Sequence, residues 1–258
     1  DLRLLRPSLP LGAWSTVAVL PAVCPMLRLC AGQVEASVVE AGRLIVAEVE
    51  VRVFEQGAWE FLRDTRFDWW EVELVGGGGG GGGAPTTGPG QGAAGGGGGG
   101  AGYARQYGQM TDLPPVVPIL VGRGGDPGIG SAPNETTHRG GDSKFGSYAE
   151  AQGGRGGGGS PASAKFDIRI GGSPGIGKRG YLLIPGQPGE HGLIAPVPSR
   201  GGQGGHSQLG SGGRTPGLSA DGRSPLGGYG GGGSGASNAP KNADVRTGGR
   251  GADGVVIV

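Results

Sequence analysis

Cysteine, methionine, aromatic residues and unbalanced charge are all scarce in this chain. Its 258 residues include two cysteines, Cys24 and Cys30. That excludes a disulfide-dense secreted scaffold. Two reduced thiols in a strand-rich segment are the simpler reading, with a bridge across the short gap as the alternative. With His138, His191 and His206 far away in sequence, no four-ligand zinc spacing exists. The net charge of +1 creates no global field for nucleic acid or an acidic membrane. No apolar run reaches the roughly 20 residues a spanning helix needs. The uncharged stretch from Pro7 to Leu27 is broken by Pro10, Gly12, Pro21 and Pro25, and no small-residue cleavage pattern follows it. No Ser/His/Asp set with local support, metal cluster or HExxH is found, so neither enzyme activity nor a cofactor is expected.

What the chain has is glycine, 65 residues of it. Only Gly12, Gly32, Gly42 and Gly57 precede Val75, and the octaglycine 76–83 opens the second half. Glycine loses more backbone entropy on folding than any other residue and brings no side chain to bury. Residues 76–258 therefore form either a flexible tether or a fold held by backbone contacts. Composition predicts two domains, 1–75 and 76–258. The first is near the lower size limit for an independent core, so sharing of burial between subunits is expected.

The first 75 residues read as β. Ala13 to Val19 and Met26 to Leu29 are candidate strands, and Glu48 to Val53 alternates with period two. Gln56-Gly57 marks a turn, Trp59 to Leu62 a strand, Arg63 to Arg66 a polar turn, and Trp69 to Val75 a return strand with Trp70, Val72 and Leu74 on one face. The expectation is a small antiparallel sheet or sandwich. Its apolar bulk would come from Trp14, Trp59, Trp69 and Trp70, with a sugar-stacking surface as the alternative role for the tryptophans.

Beyond Gly83, glycine runs alternate with apolar β-like pieces: Val116 to Val121, Phe166 to Ile170, Tyr181 to Ile184 and Val255 to Val258. A plain linker is polar and featureless. RGGDPGIG at Arg123 recurs as RGGDSKFG at Arg139, with a third RGG at Arg155, which predicts a repeated turn with glycines at positive φ. From Gly186 to Gly231 every third residue is Gly, Ala, Ser or Pro. Three residues per turn is the period of polyproline-type helices. With one face free of bulk they can pack backbone to backbone through N–H···O and Cα–H···O contacts. Non-glycine residues in that register argue against collagen. The predicted fold class is all-β plus irregular: a small N-terminal sheet or sandwich, then a domain of polyglycine-II-type helices and short strands.

Other motifs are weaker. Gly172 to Lys178 fits GxxxxGK, but Arg179 stands where a hydroxyl should bind magnesium and a β-like segment follows instead of a helix. Gly248 to Val255 resembles one calcium-binding nonapeptide; such sites need consecutive copies, so a turn is expected. Asn134-Glu135-Thr136 is a glycosylation sequon. The RGG elements are dispersed and balanced by acids, unlike those of RNA-binding tails.

The order of several segments carries a resemblance. A strand ending Val72-Glu-Leu-Val75 meets the octaglycine; a second run, Gly95 to Tyr103, follows. Then come an apolar strand closing in Val121-Gly-Arg-Gly-Gly125, Gly140 to Gly146, Ala151 to Gly157, and a terminal Gly248 to Val258. From about Asp68 onward the chain resembles the glycine-rich domain of bacteriophage minor tail and tail-tip fibre proteins from long-tailed phages of actinobacteria. The resemblance implies a non-enzymatic virion component at the distal tail, assembled in the host cytoplasm. It also implies contacts to other tail proteins and to a host cell-surface glycan or protein, without nucleic acid or membrane insertion. Residues 1–75 would serve attachment or trimerisation, and a homotrimer is the expected assembly. Tyr103, Tyr107, Tyr148 and Tyr229 are the candidate receptor contacts. The glycine-rich extracellular region of anaplastic-lymphoma-kinase-type receptors is also similar, but those receptors carry many disulfides and no cysteine follows Val75. A non-viral, glycine-rich extracellular or cell-wall structural protein is the alternative class, and an RGG-type RNA-binding protein a third.

Overall fold

The computed structural model describes residues 25–30, 33–40, 43–130, 138–159, 161–195 and 198–258, with side chains from Val49 onward. The chain divides into two units, Asp1–Arg52 and Val53–Val258. In the first, β1 (Pro25–Cys30), β2 (Gln33–Glu40) and β3 (Arg43–Glu50) form an antiparallel meander in that order. The candidate strand at Ala13 to Val19, the thiol of Cys24 and the Asn134 sequon lie outside the described residues.

In the second unit the strands are β4 (Val53–Phe54), β5 (Gly57–Leu62), β6 (Trp69–Val75), β7 (Ala93–Ala94), β8 (Tyr103–Gln109), β9 (Val116–Val121) and β10 (Ser143–Phe145). They continue as β11 (Ala149–Ala151), β12 (Asp167–Arg169), β13 (Gly177–Arg179), β14 (Leu182–Ile184), β15 (Gly192–Ile194), β16 (Ser237–Asn238) and β17 (Val255–Ile257). Two five-stranded sheets, β14-β8-β6-β17-β4 and β13-β11-β10-β9-β5, account for most of them. Their inner faces share one core that includes Phe61, Trp70, Val72, Leu74, Val117, Ile119, Phe145 and Val256. The observed division at Arg52 differs from the composition shift at Val75 for a simple reason. β6 pairs with β8 and β17, and β5 with β9, so strands before the octaglycine find their partners after it. The second half thus contributes side chains to a core of its own chain.

Of the tryptophans with described side chains, only Trp70 is buried, at 5% exposure, with its indole N–H donating to the Gln109 carbonyl. Trp69 precedes it on the same strand, and successive strand residues face opposite ways, so Trp69 points outward. Trp59 lies exposed against Phe54. Trp14 lies outside the described residues.

Each sheet feeds a second structure built almost entirely of backbone. Residues 76–83 leave β6 as an extended glycine helix whose hydrogen bonds repeat every third residue. Gly76, Gly79 and Gly82 donate to the carbonyls of Gly102, Gly99 and Gly96; Gly77 and Gly80 to Gly141 and His138; Gly78 and Gly81 to Ala252 and Gly249. Partner numbers fall as donor numbers rise, so these three neighbours are antiparallel. Three parallel neighbours donate back: Gly154 and Gly157 to Gly77 and Gly80, Gly125 and Gly128 to Gly78 and Gly81, Gly233 and Ala236 to Gly79 and Gly82. Six surrounding segments in three-residue phase form a hexagonal polyglycine-II-type lattice. The second run, 95–102, is enclosed in the same manner by 76–82, 152–158, 172–175, 187–190, 202–205 and 230–236.

Glycine frequency therefore reads depth in the bundle. A segment with six neighbours has no open side and is nearly pure glycine. Segments with one open side carry a larger residue at every third position. In 123–129 the exposed residues are Arg123, Asp126 and Ile129, with glycine packed inward at 124, 125 and 128. Segment 170–176 exposes Ile170, Ser173 and Ile176 and buries only Gly172 and Gly175. The three-residue register after Gly186 runs through such outer segments, separated by reversals rather than joined in one long helix.

The RGGD repeats are straight segments of this lattice, not turns. Gly124, Gly125, Gly140 and Gly141 lack positive φ. With three residues per turn, positions i and i+3 sit one above the other. Arg123 thus pairs with Asp126 at 2.7 Å, and Arg139 with Asp142. Arg250 and Asp253 repeat the pattern at 2.8 Å, so the Gly248 to Val255 stretch is also straight. Asp142 and Asp253 accept backbone N–H bonds from Gly153 (3.0 Å) and Gly124 (2.7 Å) on neighbouring segments. The Gly172 and Gly175 amides of the GxxxxGK stretch donate to Gly97 and Gly100.

A Cβ on Gly98 would lie 2.2 Å from the Gly79 carbonyl oxygen, whereas one on Gly217 meets nothing within 4 Å. Gly98→Ala is expected to destabilise the fold by more than ~4 kcal/mol, and Gly217→Ala to stay within about 0.5 kcal/mol of wild type. Urea denaturation of both variants measures the contrast; equal effects would refute the enclosed lattice.

Candidate recognition surface

The hydrogen-bond registers give the bundle a near end, where it joins the sheets, and a far end. Residues 76, 102, 122, 152 and 254 lie at the near end. Chain reversals at 84–94, 161–169, 214–221 and 237–247 lie at the far end, as do the described residues 193–195 and 198–201. Loops are where binding residues concentrate when a rigid scaffold holds them.

Asn238 organises the far-end loops. Its side chain is fully buried, and its amide donates to the carbonyls of Pro85 and Asp244, each at 2.8 Å. Its amide oxygen accepts from the Asn242 side chain at 2.9 Å. Ser237 Oγ donates to the Gly217 carbonyl at 2.7 Å, the Ala239 amide donates to Ser219 Oγ at 2.9 Å, and the Thr87 hydroxyl donates to the Ala239 carbonyl. These bonds tie 84–92, 214–221 and 237–247 to one another. Among the described residues, the non-glycine positions at positive φ are His138, Ser219 and Lys241, all at the far end. Such conformations are held only where surrounding structure over-determines them. Phe166, Leu218 and Val245 are exposed there.

The four tyrosines expected as contacts do not converge. Tyr103 is buried where the second glycine run becomes β8, packed with Val75, Ala101 and Val255. Its position follows from the register Val75↔Tyr103 at the junction of sheet and bundle. Tyr148 packs edge-on against Trp70 and donates its hydroxyl to the Asp112 carbonyl at 3.0 Å. Tyr229 is half-buried and donates to Glu55 at 3.0 Å; that hydrogen bond, then burial, raises its pKa. Tyr107 alone stays exposed, on the outer face of β8, with its ring 4.8 Å from that of Tyr181.

Asn238 was not singled out in sequence because a single Asn in a glycine tract carries no periodic signal. Tyr181 and Trp69 belonged to segments read as strands, and only pairing across strands shows that their rings share a face with Tyr107. Among the described residues no group of His, Cys, Asp and Glu is arranged to hold a metal ion, and no helix is long and apolar enough to cross a membrane.

Residues 55–258 match the profile of the glycine-rich domain family, and the chain belongs to that family. No curated protein matches it significantly.

Burial pushes the Tyr103 phenol up to about 12, and the Glu73 carboxylate adds to the rise. An unfolded tyrosine titrates near about 10. The folded state holds this proton longer. Tyr103 thus stabilises fully below about pH 10 and loses that contribution as pH rises toward about 12. Tyr103→Phe is expected to flatten the fall in unfolding free energy across that window in urea titrations. An unchanged slope would exclude Tyr103 as the titrating group.

Proposed function

We propose that this glycine-rich-domain protein is a non-enzymatic structural component of a bacteriophage virion, a minor tail protein at the tail tip or fibre that contributes to host-cell attachment. The observation that carries the reading is the loop platform fixed by Asn238 at the far end of a rigid, backbone-bonded bundle. A scaffold whose loops lie outside its hydrogen-bond lattice can vary its contacts without losing its frame. The chain resemblance to tail-tip proteins points the same way. Host contacts, to a cell-surface glycan or protein, are assigned to the far-end loops; of the four tyrosines only Tyr107 stays available as an exposed contact. Residues 1–52 serve attachment to other tail proteins and homotrimer formation. The enclosed glycine runs draw all six neighbours from their own chain, so trimerisation is not needed to complete the lattice.

The second reading is a non-viral extracellular or cell-wall structural protein, supported by the same rigid bundle. RNA binding is disfavoured by the pairing of Arg123, Arg139 and Arg250 with aspartates.

Electron microscopy of whole phage particles labelled with an antibody against this chain tests the proposal. Label at the tail end is the expected result; label on capsids, or on no particle, would overturn it.

A further inference from the structure

The outer face of the β14-β8-β6-β17-β4 sheet carries a feature that the far-end loops do not explain. Trp69 is 61% exposed, and Tyr107 and Tyr181 are each 53% exposed. In the β6–β8 register Trp69 is opposite Gln109 and Glu71 is opposite Tyr107. Trp69 is therefore the diagonal neighbour of Tyr107, at a spacing of roughly 7 Å, and Tyr181 stands edge-on to Tyr107 beyond it. Three rings thus form a file across neighbouring strands. Among the described residues the Trp69 indole N–H has no partner. Contiguous exposed apolar surface of this kind marks an interaction site.

Polar groups interleave with the rings. Arg105 donates to Glu71 and lies 3.5 Å from Glu73. The guanidinium is thus neutralised by two carboxylates, and its pKa is raised above the ordinary arginine value chiefly by the Glu71 hydrogen bond. At the rim, Trp69 also lines an open cleft of about 420 Å³ together with Arg63 and Asp68. That volume lies within the roughly 300–1,000 Å³ range of small-molecule sites.

We propose that this face and its rim cleft bind a neutral, extended oligosaccharide. A pyranose ring offers a C–H face to an aromatic ring and hydroxyl groups at its edge. A file of rings flanked by carboxylate, amide and guanidinium groups matches that alternation. An apolar peptide would strip water from the Glu71, Glu73 and Arg105 charges, with only their mutual pairing to offset the desolvation. A polyanion meets a face whose arginine is already paired. Trp69 and Tyr107 are mounted on strands, so their rings are also held in place before the ligand arrives. The proposal does not rest on the virion assignment: it concerns the sheet and shares only Tyr107 with the host contacts proposed above.

Tryptophan fluorescence of the full chain, titrated with cellohexaose and with chitohexaose, tests it. Saturable quenching by at least one of the two is expected. Trp69→Ala should abolish it, Tyr107→Ala should weaken affinity at least about tenfold, equivalent to ~1.4 kcal/mol, and Trp59→Ala should leave affinity unchanged. Near-UV circular dichroism establishes that the variants fold. Quenching that survives in Trp69→Ala, or none with either sugar into the millimolar range, would overturn the proposal. So would self-association of the wild type that Trp69→Ala abolishes, since the face would then belong to a second copy.

Discussion

Everything in residues 53–258 depends on one interaction: the backbone hydrogen bond between glycine helices of three residues per turn. Such a helix makes no internal bond, so every N–H and C=O must find a neighbour. The octaglycine does so in all six directions at N···O distances of 2.8 to 3.3 Å. Fixing one backbone residue costs about 1–2 kcal/mol, and a net hydrogen bond returns about 1 kcal/mol. Those magnitudes nearly cancel, and glycine sits at the unfavourable end of the first. Hydrogen bonds alone would leave the bundle marginal.

The two sheets supply what the bundle lacks. Their shared core buries Phe61, Trp70, Leu74, Ile119 and Phe145, which is ordinary side-chain stabilisation. They also set phase. β6, β9 and β11 each release a strand directly into a glycine segment, and 95–102, 138–142 and 248–254 return directly into β8, β10 and β17. Strand pairing thus fixes which glycines meet. Ser143 sits at this junction. Its hydroxyl donates to the Val75 carbonyl at 2.7 Å and accepts from the Gly122 amide at 3.0 Å, so one buried side chain joins the end of β6 to the start of a glycine segment.

Several strands were legible because their signals are local, whereas β8, β10, β11, β13 and β15 carry no such apolar run and were not read. Val116 to Val121, Tyr181 to Ile184 and Val255 to Val258 announced themselves by β-branched and aromatic content, and alternation placed Trp70, Val72 and Leu74 inward correctly. The three-residue period was legible too, and with it the polyglycine-II character. What sequence could not give was neighbourhood. The RGGD strings read as turns because aspartate beside glycine usually means one; only a lattice explains why Arg and Asp recur three apart on a straight segment. Gly230 to Ala236, another enclosed segment, is interrupted by Ser234 and ends in Ala236, and its interior place depends on partners from 79–82 through 252. Asn238 was not legible, since a buried amide that ties three loops leaves no pattern in one of them.

Amide hydrogen exchange on the intact chain, resolved to short peptides, tests the enclosed lattice most directly. Residues 76–82, 95–102 and 232–236 should exchange as slowly as the sandwich strands β6, β8 and β9, because their N–H groups are bonded and shielded on every side. Fast exchange through those glycine runs, with protection confined to the strands, would contradict the account.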